Sequence, residues 1–578
     1  MNSERTERPH NFILQAGILA AAGIVVRIIG LLYRGPLTAI IGDEGNGYYS
    51  FAYNMYANIL LISSYSIPSA IAKIISQKMA KREFVNAHRI FKCAFVYVTI
   101  VGGAASAFAY FAAGLLVVDN AVPVLRIFAP TIFLSGFLGV FRGYYQAHKS
   151  MVPTSISQIL EQIMNAAVSI GAALFFINRA GNVDETTKAI KGASGSALGT
   201  GMGVLTALIF MLLIIFLNKD KIKQNVARDI TGKVDSYATI TKDILFIVTP
   251  FILSTFIYNC GTAINQTIYA KTMLHVHDMT QSETSIFYGV YSGKAVVMRN
   301  IPVALASAMS SAIIPTVAES WVLKDHKGSR HKVNKAIHVT MLVAIPCVAG
   351  FIFLARPIMQ VLFPQKSTLD LASRVLMGLS VTIVFYCLST ITNGVLQSIG
   401  QVNKPVTHAA IALAIQSAVL VLLIRYTNLN LYALVIADIL YSFLMCYLNQ
   451  ISLARYMKYN QEIIYCFILP SICSLIMGAF ALGTYTLSYH FIASNIICLF
   501  IAIVFSAIIY LALLLLTRTL KEEDLRSIPK GHLIYKFAKK FRLISDSPRF
   551  DLGEVLYDLI YTKRDNNKRH RSKSRRRR

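Results

Sequence analysis

Tryptophan is almost missing from this sequence, with one residue in 578, and charge is scarce: Asp, Glu, Lys and Arg together make up 15%. A soluble chain of this length needs far more polar side chains to cover its surface, so that class is excluded. Acid is scarcer than base, 28 residues against 56, which leaves a net charge of +28. Paired cysteines are lacking too. Cys93, Cys260, Cys347, Cys387, Cys446, Cys466, Cys473 and Cys498 are scattered through apolar stretches without a CxxC pair or a His cluster, the pattern of ordinary buried thiols. No Walker, HExxH or GxSxG motif occurs, so no ATP-hydrolysing machinery and no soluble catalytic domain is expected. The expectation is a non-enzyme without a cofactor, any coupling resting on the membrane potential, H+ or Na+.

What the chain has in abundance is apolar sequence, 55% of all residues, in runs of roughly twenty, the length that crosses about 30 Å of hydrocarbon at about 1.5 Å per residue. The runs are continuous and lack two-residue alternation, which predicts helices and not a β-barrel. The fold class is therefore an all-α integral membrane protein. About fourteen spans are expected, near 12–41, 48–75, 90–117, 124–147, 153–178, 193–217, 240–270, 285–318, 335–363, 371–398, 405–425, 430–454, 463–486 and 490–517. The segment Met1 to Asn11 leads into the first span without a small-residue cleavage signature, so that helix is expected to be retained.

Charge sets the orientation. The loops after spans two, six and eight carry Lys78, Lys81, Arg82, Arg89 and Lys92, then Lys219, Lys221, Lys223, Arg228 and Lys233, then Lys324, Lys327, Arg330, Lys332 and Lys335. All three fall on one side, which the positive-inside rule makes cytoplasmic. On the other side Gly42-Asp43-Glu44-Gly45-Asn46-Gly47, read as a loop, has no base; the loop at 179–191 is mixed. Both termini are then cytoplasmic, in a multi-pass membrane protein.

Two internal matches recur in the same order. Arg142-Gly143-Tyr144-Tyr145-Gln146 followed by Pro153 answers Asn393-Gly394-Val395-Leu396-Gln397 followed by Pro405. Ile67-Pro68-Ser69-Ala70-Ile71-Ala72 answers Ile301-Pro302-Val303-Ala304-Leu305-Ala306, with Tyr53/Tyr56 ahead of one and Tyr288/Tyr291 ahead of the other. Two pseudo-symmetric six-helix lobes are expected, 1–239 with its linker and 240–461, followed by two extra helices in 462–517 and a basic tail, 518–578. Parallel repeats of this kind are a transporter architecture with the substrate between the lobes. In the tail Leu533, Phe537 and Phe541 share a helical face amid Lys536, Lys539, Lys540 and Arg542, and Arg575 to Arg578 close the chain. An interfacial helix on the anionic inner leaflet fits that pattern; a solvated tail fits residues after 562 equally.

Charges at membrane depth are costly and mark cavities or partners. Arg27 lies mid-way along the first span, Arg34 two turns later, Lys73 near the end of span two, and Lys294 and Arg299 inside span eight. A cavity lined by them would attract an anion such as a diphosphate; the alternative is pairing with carboxylates, and Arg34 and Lys73 could snorkel to the interface. Glu161 is the clearest intramembrane carboxylate, a group for coupling to protons or sodium or for neutralising an arginine. Asp243 and Asp438 are weaker candidates near span ends. Gly195, Gly199 and Gly203 stand four apart, a spacing that predicts close helix packing and no nucleotide loop.

Taken together, Arg27-Ile28-Ile29-Gly30 with Tyr33-Arg34, Gly47-Tyr48-Tyr49, Ile67-Pro68-Ser69-Ala70-Ile71-Ala72-Lys73, Tyr288-Gly289-Val290-Tyr291-Ser292-Gly293-Lys294 with Ile301-Pro302, and Gly143-Tyr144-Tyr145-Gln146 resemble a known group. It is the polysaccharide-transporter branch of the multidrug/oligosaccharidyl-lipid/polysaccharide exporter superfamily, of the stage V sporulation protein B and MurJ-type lipid II flippase kinds. The resemblance, over residues 11–517, implies two six-helix lobes plus two helices and a cationic cavity that carries an undecaprenyl-diphosphate-linked glycan, lipid II foremost, between leaflets. It implies that Arg27 is the first-helix cavity arginine and Lys294 the base of helix eight. The chain departs from the flippases at Tyr33, where a second arginine stands in them, and in Leu61-Ile62-Ser63-Ser64, which has no base. Membrane lipids and cell-wall synthesis proteins are the other partners implied, nucleic acid is not, and the sporulation or vegetative setting stays open. A drug/cation antiporter of the same superfamily is the alternative function, for which carboxylates and aromatics should face the cargo.

Overall fold

A computed structural model describes residues 10–520 apart from 66, 228, 230, 243, 247–255, 257, 258 and 518. All regular structure among the described residues is helical. In chain order the first half holds α1 (His10–Leu32), α2 (Arg34–Leu60), α3 (Ile67–Ala80), α4 (Phe84–Phe111), α5 (Val122–Ala147), α6 (Val152–Ala180) and α7 (Glu185–Leu217). The second half holds α8 (Gly261–His275), α9 (Gln281–Tyr288), α10 (Val296–Val322), α11 (His326–Phe353), α12 (Leu369–Ser398), α13 (Asn403–Tyr426) and α14 (Leu431–Met457), and α15 (Leu469–Ile492) and α16 (Asn495–Leu516) follow. Helices satisfy every backbone group internally, which apolar surroundings demand.

Among the described residues twelve helical stretches are long and apolar enough to cross a membrane. They answer all the expected spans except those near 12–41 and 240–270, so the membrane class stands and a count of fourteen is not established. Asp243, part of the seventh span and the basic tail from Leu533 to Arg578 lie outside the described residues.

One loop assignment is corrected. The polar run 42–47 is not a loop: only Gly42 leaves helical geometry, at φ +70° and ψ 178°, and Asp43, Gly45, Asn46 and Gly47 are buried in helix. Small and polar residues imitate a turn in sequence; here they are small because another helix passes against them.

Proline shapes the long spans. π-helical turns cover Leu61–Tyr65 and Ile464–Ile468, just ahead of Pro68 and Pro470. Proline cannot donate to the carbonyl four residues back, and the wider turn redistributes the freed group. A third π-turn, Gly289–Ala295, joins α9 to α10 and carries Lys294.

The chain divides into two compact units. The first takes Met1–Val297, Leu362–Ala372 and Ala409–Ala437. Its apolar core includes Ile67, Ile71 and Ile75 of α3, Ile90 and Val98 of α4, Leu138 and Phe141 of α5 and Met211 of α7. Gly143 of α5 lies so close to α3 that a Cβ there would come within 2.7 Å of the Pro68 carbonyl oxygen. The stripe Gly195, Gly199 and Gly203 seats α7 on α6 as its spacing predicts: added Cβ atoms would stand 2.5 Å from Ala172 O, 2.1 Å from Ser169 Oγ and 2.5 Å from Glu161 O.

The second unit takes Met298–Val361, Ser373–His408 and Asp438–Arg578. Its core joins Ala306 and Val317 of α10, Ile337 and Met341 of α11, Ile383 and Leu396 of α12 and Leu453 of α14. Gly394, the counterpart of Gly143 in the repeat, packs against α10, with an added Cβ only 2.3 Å from Ser310 Oγ. In each unit a motif glycine thus meets the helix that contains the Ile-Pro motif. The two C-terminal helices pack on α11 through Cys473, Met477, Tyr510 and Ala349, and Tyr510 Oη donates to Leu342 O at 3.0 Å.

Candidate substrate site

In the first unit α2 crosses the segment Gln281–Ala295 at backbone contact. Added Cβ atoms would fall 2.0 Å from Ser285 O at Gly47, 2.8 Å from Asp43 O at Gly289 and 2.3 Å from Asn46 Nδ2 at Gly293. Glycine at these three positions is what permits the approach. A capping box fixes the start of α9: the Thr280 side chain accepts from Glu283 N–H, and the Glu283 carboxylate accepts from Thr280 N–H.

The crossing is held by buried polar groups. Asn46 Nδ2 donates to Gly289 O (3.3 Å), Asn54 Nδ2 to Tyr288 Oη (2.9 Å) and Ser292 Oγ (3.0 Å), and Ser285 Oγ to Glu44 O (3.0 Å). Tyr288 Oη donates to Gln266 Oε1 at 3.2 Å, and Gln266 Nε2 donates to Phe51 O at 2.9 Å. At its centre Lys294 Nζ meets Asp43 Oδ1 at 2.5 Å, with side chains 1% and 7% exposed. Lys294 Nζ also donates to Thr368 Oγ1 at 3.0 Å, and the Thr368 hydroxyl in turn donates to Asp43. The segment that brings Thr368 lies along α2. Gln365 donates to Thr38 O, a Cβ at Gly35 would meet Leu362 O, and the Phe363 ring lies 5.8 Å from Lys294 Nζ. The result is a neutral, sealed cluster in which each charge has a partner, the condition under which buried charges persist.

A second cluster in the same unit is partly open. Arg142 of α5 donates to Glu161 Oε2 at 2.7 Å and to Ser157 Oγ at 2.9 Å, and the pair's side chains are 14% and 30% exposed. Gly203 fixes the backbone at Glu161, as described above. Arg34 is half-buried among Tyr33, Tyr49 and Tyr53, and Tyr53 lies within electrostatic reach of both Arg34 and Glu161.

In the second unit Arg299 pairs with Asp438 and stands 4.7 Å above the Tyr386 ring, and Tyr386 Oη donates to Asp438 Oδ1 at 2.6 Å.

Of the expected site residues, then, Lys294 is buried and ion-paired, Arg299 is ion-paired with its side chain 11% exposed, Glu161 holds Arg142, and Arg34 lies among tyrosines. Arg27 and Lys73 are exposed and make no ion pair among the described residues. Asp438, weighed lightly for its place near a span end, is a buried partner of Arg299. Sequence reasoning missed Asp43, which looked like loop, Thr368, which sits between spans, and Arg142, which stood out only as a repeat marker. The signal for Asp43 was the Gly42-to-Gly47 run followed by an aromatic helix; for Gln266 it was the polar run Asn265-Gln266-Thr267 within the expected seventh span.

The comparisons with known proteins agree with this architecture. The family model described as lipid II flippase MurJ matches residues 61–506. Among relatives, a lipid II flippase MurJ of Bacillus subtilis (strain 168) is 23% identical over 455 residues, covering 74% of this chain and 81% of its own length. Stage V sporulation protein B of the same organism is 24% identical over 358 residues, 60% of this chain and 65% of its own. A solved lipid II flippase MurJ in an inward closed conformation superposes with a TM-score of 0.61 at 16% identity, covering 87% of this chain and 98% of that one. An inward-facing multidrug resistance MATE family transporter superposes with a TM-score of 0.62 at 16% identity, covering 77% of this chain and 99% of that one, which is a likeness of fold. The family match spans most of the chain, and the chain therefore belongs to the lipid II flippase MurJ family, whose members are membrane transporters of lipid-linked precursors and not enzymes.

Proposed function

We propose that this chain carries lipid II, the undecaprenyl-diphosphate-linked precursor of peptidoglycan, across the bacterial cytoplasmic membrane by alternating access, with both termini inside. The observation that carries the reading is the set of basic groups on α1 to α3, Arg27, Arg34 and Lys73, that make no ion pair with a carboxylate among the described residues. A diphosphate leaves water only toward such partners, the sugars need a wet path, and the polyprenyl tail can stay in lipid. Lys294 joins them when Asp43 releases it, so the sealed cluster is a resting state that the cargo's diphosphate displaces. A cation antiporter would need carboxylates open to its cargo, whereas Asp43, Glu161 and Asp438 each already hold a base.

The test is leaflet accessibility of lipid II in cells depleted of the protein and complemented with wild type, Arg27→Ala or Lys294→Ala. Wild type is expected to restore outward appearance and both variants to lower it at least about ten-fold, which corresponds to about 1.4 kcal/mol. Normal outward lipid II in depleted cells excludes it as the essential cargo, and fully active variants remove these residues from the site.

A further inference from the structure

Three tyrosines on α2, Tyr49, Tyr53 and Tyr56, recur at i, i+4 and i+7 and so share one face of the helix. Tyr49 and Tyr53 stack at 5.7 Å between centroids with planes 13° apart, and Tyr56 stacks on Phe128 at 4.8 Å and 19°. Tyr49 and Tyr56 are each 4% exposed, and Tyr53 is the half-buried member of the ladder. Charged groups lie within electrostatic reach of it, Arg34 and Glu161, the latter locked to Arg142.

Position gives this cluster its meaning. Tyr53, Arg142 and Glu161 all lie within helical stretches long and apolar enough to cross a membrane. An ion pair that keeps 30% of its carboxylate side chain exposed within such stretches belongs against a polar path, since charge facing lipid is costly. The cluster combines a ring held in place by a stack, a guanidinium held by a carboxylate and a serine hydroxyl, and a further cation. Those are the elements that bind a pyranose: an aromatic face for its C–H surface, and charged planar donors and acceptors for its hydroxyls.

We propose that Tyr53, together with the Arg142–Glu161 pair and Arg34, is a carbohydrate subsite that holds the first sugars of the cargo while other basic groups hold its diphosphate. The assignment rests on the flippase reading above and adds to it the place of the glycan. The corresponding tyrosines of the second half do not form such a site: Tyr288 is 2% exposed, stacked on Phe51 and hydrogen-bonded within the crossing.

Full-length protein in nanodiscs is titrated with two lipids, lipid II and undecaprenyl diphosphate, which lacks the sugars. Tyr53→Leu is expected to weaken lipid II binding about ten-fold, which is about 1.4 kcal/mol, while undecaprenyl diphosphate binding stays within about two-fold. Tyr53→Phe keeps ring and packing, so its lipid II affinity falls by less than that of Tyr53→Leu. Equal losses for both lipids, or no loss in any variant, overturn the carbohydrate subsite alone. A wild-type protein that binds neither lipid overturns the flippase reading and this inference with it.

Discussion

Lys294 and Arg299 stand five residues apart on consecutive helical turns, yet they are partnered differently. Lys294, on a π-turn, is 1% exposed and shares one carboxylate and one hydroxyl with Asp43 and Thr368. Arg299, on regular helix, meets Asp438 below the face of Tyr386, and a tyrosine hydroxyl supports the acid. The first arrangement concentrates its polar groups at a glycine-lined crossing; the second spreads the cation over an aromatic ring. Sequence gave both residues the same description, a base inside span eight. What separates them is how closely each base is enclosed, the Lys294 side chain being 1% exposed and the Arg299 side chain 11%.

The largest test of that difference is Lys294→Met. It leaves Asp43 buried with Thr368 as its support and is expected to cost about 3–5 kcal/mol, read as a fall in thermal stability of the purified protein. Adding Asp43→Asn should recover more than half of the loss, and failure to recover would show that the pair does not act as a unit. Arg299→Met is expected to cost less, about 2 kcal/mol, because the Arg299 side chain is 11% exposed against 1% for Lys294, so solvent can replace part of the lost contact; an equal or larger loss reverses the comparison. Gly47→Ala drives a Cβ into the Ser285 carbonyl and should destabilise by about 1–3 kcal/mol. It is also expected to open the crossing, so that Ser292→Cys in that background is labelled faster by an impermeant maleimide than the same cysteine alone.

The smallest expected effect lies outside the spans, where the linker after α7 is tied to the α3–α4 turn. Lys78 pairs with Glu83 at 2.9 Å and Asp235 at 2.5 Å, Arg89 Nη1 donates to Asp235 O at 2.6 Å, and Val85 N–H donates to Asp229 Oδ2 at 2.8 Å. The hydrogen bond from Lys78 holds the Glu83 carboxyl below its ordinary 4.5, and those from Thr231 and Val85 hold Asp229 below 3.8. Lowered carboxyls favour the folded linker above their ordinary values, and that contribution disappears as pH falls through the lowered ones. Pepsin cleavage between 227 and 237 should therefore appear only below about pH 4, and Asp229→Asn should weaken this acid step.

Much of the molecule was legible in sequence because lipid is a simple solvent. Apolar length located all twelve of the described spans, the glycine stripe of α7 announced its contact with α6, and the repeat motifs turned out to occupy like packing positions in both units. The misreadings share a cause. Asp43 looked like loop because small polar residues serve both turns and close helix crossings, and a one-dimensional pattern cannot say whether another backbone passes by. Thr368 and Arg142 carried no signal of their own, since the partner of each is far off in the chain.

The sequence alone determined that this protein is a helical membrane chain with too few charges for water and too many for lipid, and it named the bases that had to be accommodated. Only tertiary structure decided which acids those bases meet, and which cluster is sealed and which stays wet. Hydrophobic length is additive along a chain, whereas the fate of a buried charge depends on groups that folding brings within a few ångströms of it.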